Sequence, residues 1–157
     1  MKIAIYPGTF DPITCGHLDI LKKASGVFDK VILAVAKDSS KQPLFTFDER
    51  VKLCKQSIED LKKVEIMGFE GLVVDFANKV NSLTMIRGLR AVSDFEYELS
   101  LALMNKKLRS EIDTLFFVPD AKYLYLSSTM VKQVIKLGGN IKDLIPSVVE
   151  KALKEKL

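Results

Sequence analysis

Tyr6-Pro7-Gly8-Thr9-Phe10-Asp11-Pro12-Ile13-Thr14-Cys15-Gly16-His17 joins an apolar run to an amphipathic one, and its reading decides the fold. Upstream, Ile3-Ala4-Ile5 is short and rich in β-branched residues, as a strand would be. Downstream, Ile20, Ala24, Val27 and Phe28, with Leu21 alongside, recur at helical spacing. The prolines and glycines between them mark a strand-to-helix loop. Gly8 and Gly16 would let a backbone approach a ligand closely, and the free N–H groups of the new helix favour an anion there. His17, the chain's single histidine, falls in that helix's first turn, where the dipole disfavours imidazolium unless an anion lies beside it.

At 157 residues the chain has the length of one domain, and 48% hydrophobic with 28% charged residues is a globular composition that argues against disorder. The net charge of +4 comes without a Lys/Arg block. Lys151, Lys154 and Lys156 alternate with apolar residues as on a solvated helix face, so no nucleic-acid tail is expected and an anionic small substrate suits the charge. Cys15 and Cys54 form no CxxC pair, which removes a disulfide framework and a thiolate metal site and points to a reducing compartment. No signal-like segment opens the chain and no apolar run nears the ~18 residues of a membrane span, so a cytoplasmic protein without a membrane partner is expected.

Strand-like and helix-like patterns alternate to the end of the chain, the signature of an α/β fold. Lys30 to Ala36 is a continuous apolar run, as a parallel strand buried on both faces requires. Thr46-Phe47-Asp48-Glu49 is a capping box opening a helix with the stripe Val51, Cys54, Ile58 and Leu61, which makes Cys54 a core residue. Val64 to Met67 reads as a third strand, Leu72 to Asn81 as a helix, and Leu83 to Ile86 as a fourth strand running into Arg87-Gly88-Leu89-Arg90. Ser93-Asp94-Phe95-Glu96 is a second capping box for a helix reaching about Arg109, and Asp113 to Val118 supplies the fifth strand. Ser127, Ser128 and Thr129 open a helix that Gly138-Gly139-Asn140 stops; such hydroxyls are N-caps by default and phosphate donors when they face a cleft. A last helix starts with Pro146 at its first position.

The expected architecture is a single-domain, Rossmann-like, doubly wound sheet of five parallel strands in the order 3-2-1-4-5. Strands one and four then flank the switch point, where ligands bind beyond the strands' carboxyl ends. Thr9 and His17 would meet Arg87 and Arg90 there, with Lys41 and Ser127 to Thr129 on the same rim, a convergence suited to several phosphates. Neither G-x-x-x-x-G-K-[ST] nor G-x-G-x-x-G occurs, which disfavours a P-loop NTPase and a dinucleotide dehydrogenase. Without a Gly-x-Ser-x-Gly elbow or a nucleophile paired with His17, covalent catalysis has no support.

Gly8-Thr9-Phe10-Asp11-Pro12 with Thr14-x-Gly16-His17, then Ile86 to Arg90 with Asp94-Phe95-Glu96-Tyr97-Glu98, then Ser127-Ser128-Thr129, resemble the bacterial phosphopantetheine adenylyltransferases over nearly the full length. Thr-x-Gly-His alone marks the wider nucleotidyltransferase superfamily; Cys15 and Thr129 are small departures from the family pattern. The resemblance implies one nucleotidyltransferase domain over 1–157 that transfers the adenylyl group of ATP to 4'-phosphopantetheine, with Mg2+, in coenzyme A synthesis. It implies that His17 stabilises the transition state, that Thr9 and Lys41 hold the attacking phosphate with help from Arg87, and that Val73 contacts the pantetheine arm. It places ATP against Thr9, Phe10, His17, Gly88, Leu89, Arg90, Glu98 and the run Tyr123, Leu124, Tyr125, Leu126, Ser127, Ser128, Thr129. The alternatives are another transferase of the superfamily, such as one using nicotinate mononucleotide, and a non-catalytic nucleotide sensor.

The helix opened by Ser93 carries two apolar stripes. Phe95, Leu99, Ala102 and Leu103 form one, expected to cover the sheet, and Tyr97, Leu101, Met104 and Leu108 form the other. Glu96, Ser100 and Lys107 on one flank, with Glu98 and Asn105 on the other, separate them. The second stripe needs its own cover, from the last helix or from another subunit, and the resemblance implies a homohexamer built as a dimer of trimers.

Overall fold

The computed structural model describes residues 1–39, 42–90 and 92–157, with Val92 and Ser93 described by their backbone alone. Five parallel strands, β1 (Ile3–Gly8), β2 (Lys30–Ala36), β3 (Val64–Phe69), β4 (Thr84–Gly88) and β5 (Asp113–Phe117), form one sheet in the order β3-β2-β1-β4-β5, as expected. The two-residue period of a strand divides each apolar run between two cores. Ala4, Tyr6, Val31, Leu33, Val35 and Ile86 face one side, while Ile5, Ile32, Ala34 and Met85 face the other.

On the first side pack α1 (Cys15–Ser25), α2 (Phe47–Ser57), α5 (Ser128–Lys136) and α6 (Ser147–Lys156), through Leu21, Cys54, Val131 and Leu153 among others. On the second lies α3 (Val73–Lys79), through Val74, Phe76 and Ala77. Between β5 and α5 there is one 3-10 turn at Ala121–Tyr123, which the sequence pattern did not announce. Among the described residues no helix is long and apolar enough to cross a membrane.

Several boundaries move for local reasons. Helix α1 stops at Ser25 because Gly26 caps it, leaving Val27 outside the helix and exposed although Phe28 stays buried. Strand β1 continues through Pro7, which is tolerated because β4 pairs with β1 only at Ala4 and Ile5 and the sheet has begun to split there. Pro146 is the cap of α6 rather than its first residue, its carbonyl accepting from Val149 and Glu150. The long helix α4 (Val92–Leu108) begins one residue before Ser93, whose expected side-chain cap lies outside the described residues.

Helix α4 is inverted relative to expectation. Glu98 is buried and Asn105 half-buried, with the Asn105 Nδ2 3.4 Å from the Met85 sulfur. The stripe expected on the sheet is mostly turned away from it: Phe95, Leu99 and Leu103 are exposed, and so are Tyr97, Leu101, Met104 and Leu108. Only the half-buried Ala102 and an edge-on contact of the Phe95 ring with Phe116 of β5, at 6.3 Å between centroids, reach inward from it. A polar flank faces the fold and both apolar stripes face outward, because Glu98 is drawn in by Arg87.

Candidate active site

A cavity of about 600 Å³ opens at the carboxyl ends of β1 and β4, where the strand order reverses. It is lined from the loop after β1 by Thr9, Phe10, Asp11 and His17, and from the end of β4 by Arg87, Gly88 and Arg90. Glu98 of α4, the 42–43 segment and the stretch from Tyr123 to Thr129 close the remaining sides.

His17 is held by its own helix. The Thr14 hydroxyl accepts from the His17 N–H, and the Thr14 N–H donates to His17 Nδ1 at 3.0 Å, so His17 fills the third position of a capping box where Glu or Gln is usual. That bond makes Nδ1 an acceptor and leaves the ring proton on Nε2. Burial first, and then the charges of Arg90 and Arg87, depress the imidazole pKa to about 3, so the ring is neutral at physiological pH. Phe10 and Tyr6 wall it in, with ring centroids 5.0 and 6.3 Å away. Phe10 itself sits at φ 51°, and a Cβ at Gly8 would lie 2.9 Å from its ring, so Gly8 serves this aromatic wall before any ligand. Burial likewise pushes the Tyr6 phenol up to about 12, which keeps it protonated.

Arg87 is fixed on three sides. Its Nε and Nη2 each donate to one Glu98 carboxylate oxygen at 2.6 Å, and Nη1 donates to the Pro7 carbonyl at 2.6 Å where the sheet splits. Burial would depress the guanidinium; its hydrogen bonds and charge interaction with Glu98 outweigh that and hold it above the usual arginine value. Arg90 pairs with Asp94 and donates to the Leu126 carbonyl at 2.8 Å, which ties the loop after β4 to the segment before α5. A second brace on that flank runs from α1: Lys23 donates to Asp120 and to the Val118 carbonyl, while Asp19 accepts from Lys23 and from the Asp120 N–H.

The hydroxyls before and within α5 divide their work. Ser127 is the N-cap, accepting from the Met130 N–H, and Ser128 donates to the Pro12 carbonyl at 2.7 Å. That bond joins the helix start to the loop after β1, so Ser128 has a structural partner where a phosphate donor was expected. Thr129 is exposed on the rim.

Asp11 joins three segments. It accepts from the Leu44 and Phe45 N–H groups at 2.9 Å each and pairs with Lys132 of α5 at 2.8 Å. Burial would raise its carboxyl, but the Lys132 ammonium and the two amides outweigh it and hold the pKa below the usual value.

Of the residues expected from sequence, Thr9, Phe10, His17, Arg87, Gly88, Arg90, Glu98, Tyr123, Leu126, Ser127, Ser128 and Thr129 meet at this cavity. Leu89, Leu124 and Tyr125 are not among its lining residues; the Leu89 N–H bonds to the Phe117 carbonyl and Tyr125 is exposed. Val73 opens α3 and packs against the second core instead. Lys41 lies outside the described residues. The lining also includes Tyr6, Asp11, Gln42, Pro43 and Lys132, which the sequence reading did not single out. Lys132 was legible in one respect, standing one helical turn beyond the Ser-Ser-Thr run.

Comparison with known proteins agrees with this geometry. Residues 5–134 match the family described as Cytidylyltransferase-like. The phosphopantetheine adenylyltransferase of Desulfitobacterium hafniense strain Y51 is 52% identical over 99% of this chain and 96% of its own. That of Clostridium novyi strain NT is 52% identical over 100% and 98%, and that of Caldanaerobacter subterraneus subsp. tengcongensis 47% over 99% and 98%. A solved structure of a putative nicotinate-nucleotide adenylyltransferase from Vibrio parahaemolyticus superposes with a TM-score of 0.74 over 98% of this chain and 99% of that one. Its 18% identity carries the fold alone. With its switch-point cleft and full-length relatives at about half identity, the chain belongs to the phosphopantetheine adenylyltransferases of the cytidylyltransferase-like family.

Proposed function

We propose that the cleft transfers the adenylyl group of ATP to 4'-phosphopantetheine, giving dephospho-coenzyme A and pyrophosphate. The observation that carries the mechanism is His17, a neutral imidazole locked with Nδ1 as acceptor and Nε2–H as donor. The acceptor's phosphate oxygen attacks the α-phosphorus; the new P–O bond forms as the bond to the pyrophosphate oxygen breaks. An ionised phosphate needs no general base, so the protein's tasks are alignment and charge stabilisation. His17 donates from Nε2 to an α-phosphate oxygen as charge builds in the transition state. A neutral donor is suited to this, since the dipole and the neighbouring arginines already oppose imidazolium.

Thr9 and Lys41 hold the acceptor phosphate, and Arg87 assists with the two N–H groups left over after Glu98 and Pro7. Phe10, Gly88 and Arg90, with Tyr123, Leu126, Ser127, Ser128 and Thr129 of the stretch before and into α5, take ATP. Mg2+ belongs with the nucleotide as part of the substrate. The two carboxylates lining the cleft, Asp11 and Glu98, are committed to Lys132 and Arg87, and no group of three His, Cys, Asp or Glu gathers among the described residues.

Residues 1–157 act as one nucleotidyltransferase domain in the cytoplasm. The outward apolar stripes of α4 support assembly with further copies, and a homohexamer built as a dimer of trimers is the arrangement we propose. The deciding assay supplies purified protein with ATP, Mg2+ and either 4'-phosphopantetheine or nicotinate mononucleotide. Pyrophosphate release with the first acceptor and hardly any with the second is expected; the reverse preference overturns the assignment.

A further inference from the structure

Arg50, on the second turn of α2, is 1% exposed and forms no ion pair among the described residues. Its guanidinium is held by main-chain carbonyls. Nη1 donates to Thr9 and to Ala36, each at 2.8 Å, and Nε donates to Phe45 at 3.3 Å. Those three carbonyls belong to the loop after β1, the end of β2 and the approach to α2. The Asp11 carboxylate favours the charge from a distance without an ion pair, and a cation so deeply placed is costly where apolar packing would serve stability as well. Its bonds reach only one flank of the cleft. The opposite flank has braces of its own, from Arg90 to Leu126 and from Lys23 to Asp120, and the Ser128 bond to Pro12 is what links it to the loop after β1.

We propose that Arg50 is a positioning residue for the acceptor phosphate and acts through Thr9. One nitrogen binding both carbonyls holds the loop after β1 against the end of β2, and thereby sets the direction of the Thr9 side chain at the cleft wall. The inference rests on the reading that Thr9 holds the acceptor. An ångström of drift in a group that aligns a reactant is enough to cost rate, whereas the nucleotide contacts supplied by Gly88, Arg90 and the stretch before α5 stand on a brace of their own.

The test compares wild type, Arg50→Lys, Arg50→Gln, Thr9→Ala and the double variant Thr9→Ala/Arg50→Lys, reading KM for each substrate, kcat and the thermal midpoint. Arg50→Lys keeps the charge and loses the fork geometry. It should raise KM for 4'-phosphopantetheine roughly tenfold or more while ATP KM stays within about twofold, as expected for a misplaced reactant-binding group. In the Thr9→Ala background the same substitution should add less than about twofold, because residues acting through one another are not additive. Equal shifts in both KM values, fully additive effects, or unchanged kinetics overturn the proposal. So does failure of both Arg50 variants to stay folded at the assay temperature, which makes Arg50 a stability residue. Wild type separates the two levels: if it releases no pyrophosphate, the reading of the reaction fails and the proposal falls with it.

Discussion

Arg87 and Glu98 meet in a two-pronged ion pair, each of two guanidinium nitrogens lying 2.6 Å from one carboxylate oxygen, between the end of β4 and the middle of α4. This single contact explains two features. It orients the arginine at the cleft, and it draws a polar flank of α4 inward, turning the helix's apolar stripes to the outside. Both groups are largely buried, so each depends on the other for solvation.

Glu98→Gln should therefore destabilise the fold by about 3 kcal/mol, the usual cost of stranding one member of a buried pair. Chemical denaturation at pH 7 measures it. Arg87→Lys should do less to stability but raise KM for 4'-phosphopantetheine, since a lysine cannot keep the fork and present further donors. If only the ATP KM moved, the two subsites would be reversed.

His17→Ala should lower kcat by at least ~100-fold, the range for a lost electrostatic donor, and leave ATP affinity nearly intact. The pH dependence carries the sharper test. With a free-enzyme pKa of about 3, His17 stays neutral across the working range, so any acid limb of kcat/KM at about pH 6 belongs to the second ionisation of the acceptor phosphate and should persist in His17→Gln. An acid limb at that pH in wild type that vanishes in His17→Gln would refute a neutral donor.

Most of the frame was legible because alternating burial writes itself into the residues. Val31 to Val35 are apolar at every position since successive side chains enter opposite cores, and the loop from Gly8 to His17 announces where β1 gives way to α1. Two-body relations were harder to see. Nothing local tells that Ser128 bonds to Pro12 or that Glu98 outweighs the apolar stripes of α4, because each partner is set by tertiary contact. The Thr14–His17 capping box, by contrast, is local and was missed because Glu or Gln is the usual residue there. Periodicity alone ranks apolar faces above polar ones, so it assigned the wrong face of α4 to the sheet.

Asp11 should make stability fall in acid. Its carboxyl is held below the usual value, so its contribution is complete above the unfolded pKa of about 3.9 and is lost as pH falls through the lower folded one. Asp11→Asn removes the charge beside Lys132 and one of the acceptors for the Leu44 and Phe45 amides, at a cost of about 2 kcal/mol at pH 7. The gap between wild type and variant should narrow below about pH 4. A gap that is constant from pH 7 to pH 3 would assign the effect to packing.

Tyr97, Leu103 and Met104 are 64%, 59% and 59% exposed in the isolated chain, on a helix whose inward contacts include an ion pair and an amide. Neither the sheet nor α6 covers them, which removes the intramolecular alternative to a subunit interface. Large apolar side chains clustered along one helix rarely stay in water. Light scattering coupled to gel filtration should then report a mass well above the 17.6 kDa of one chain. Leu101→Glu combined with Met104→Glu puts two carboxylates on the stripe and should break the assembly without touching Glu98, so the folded monomer keeps its Arg87 contact. A compact wild-type monomer at micromolar concentration, with full adenylyl-transfer activity, would rule the interface out.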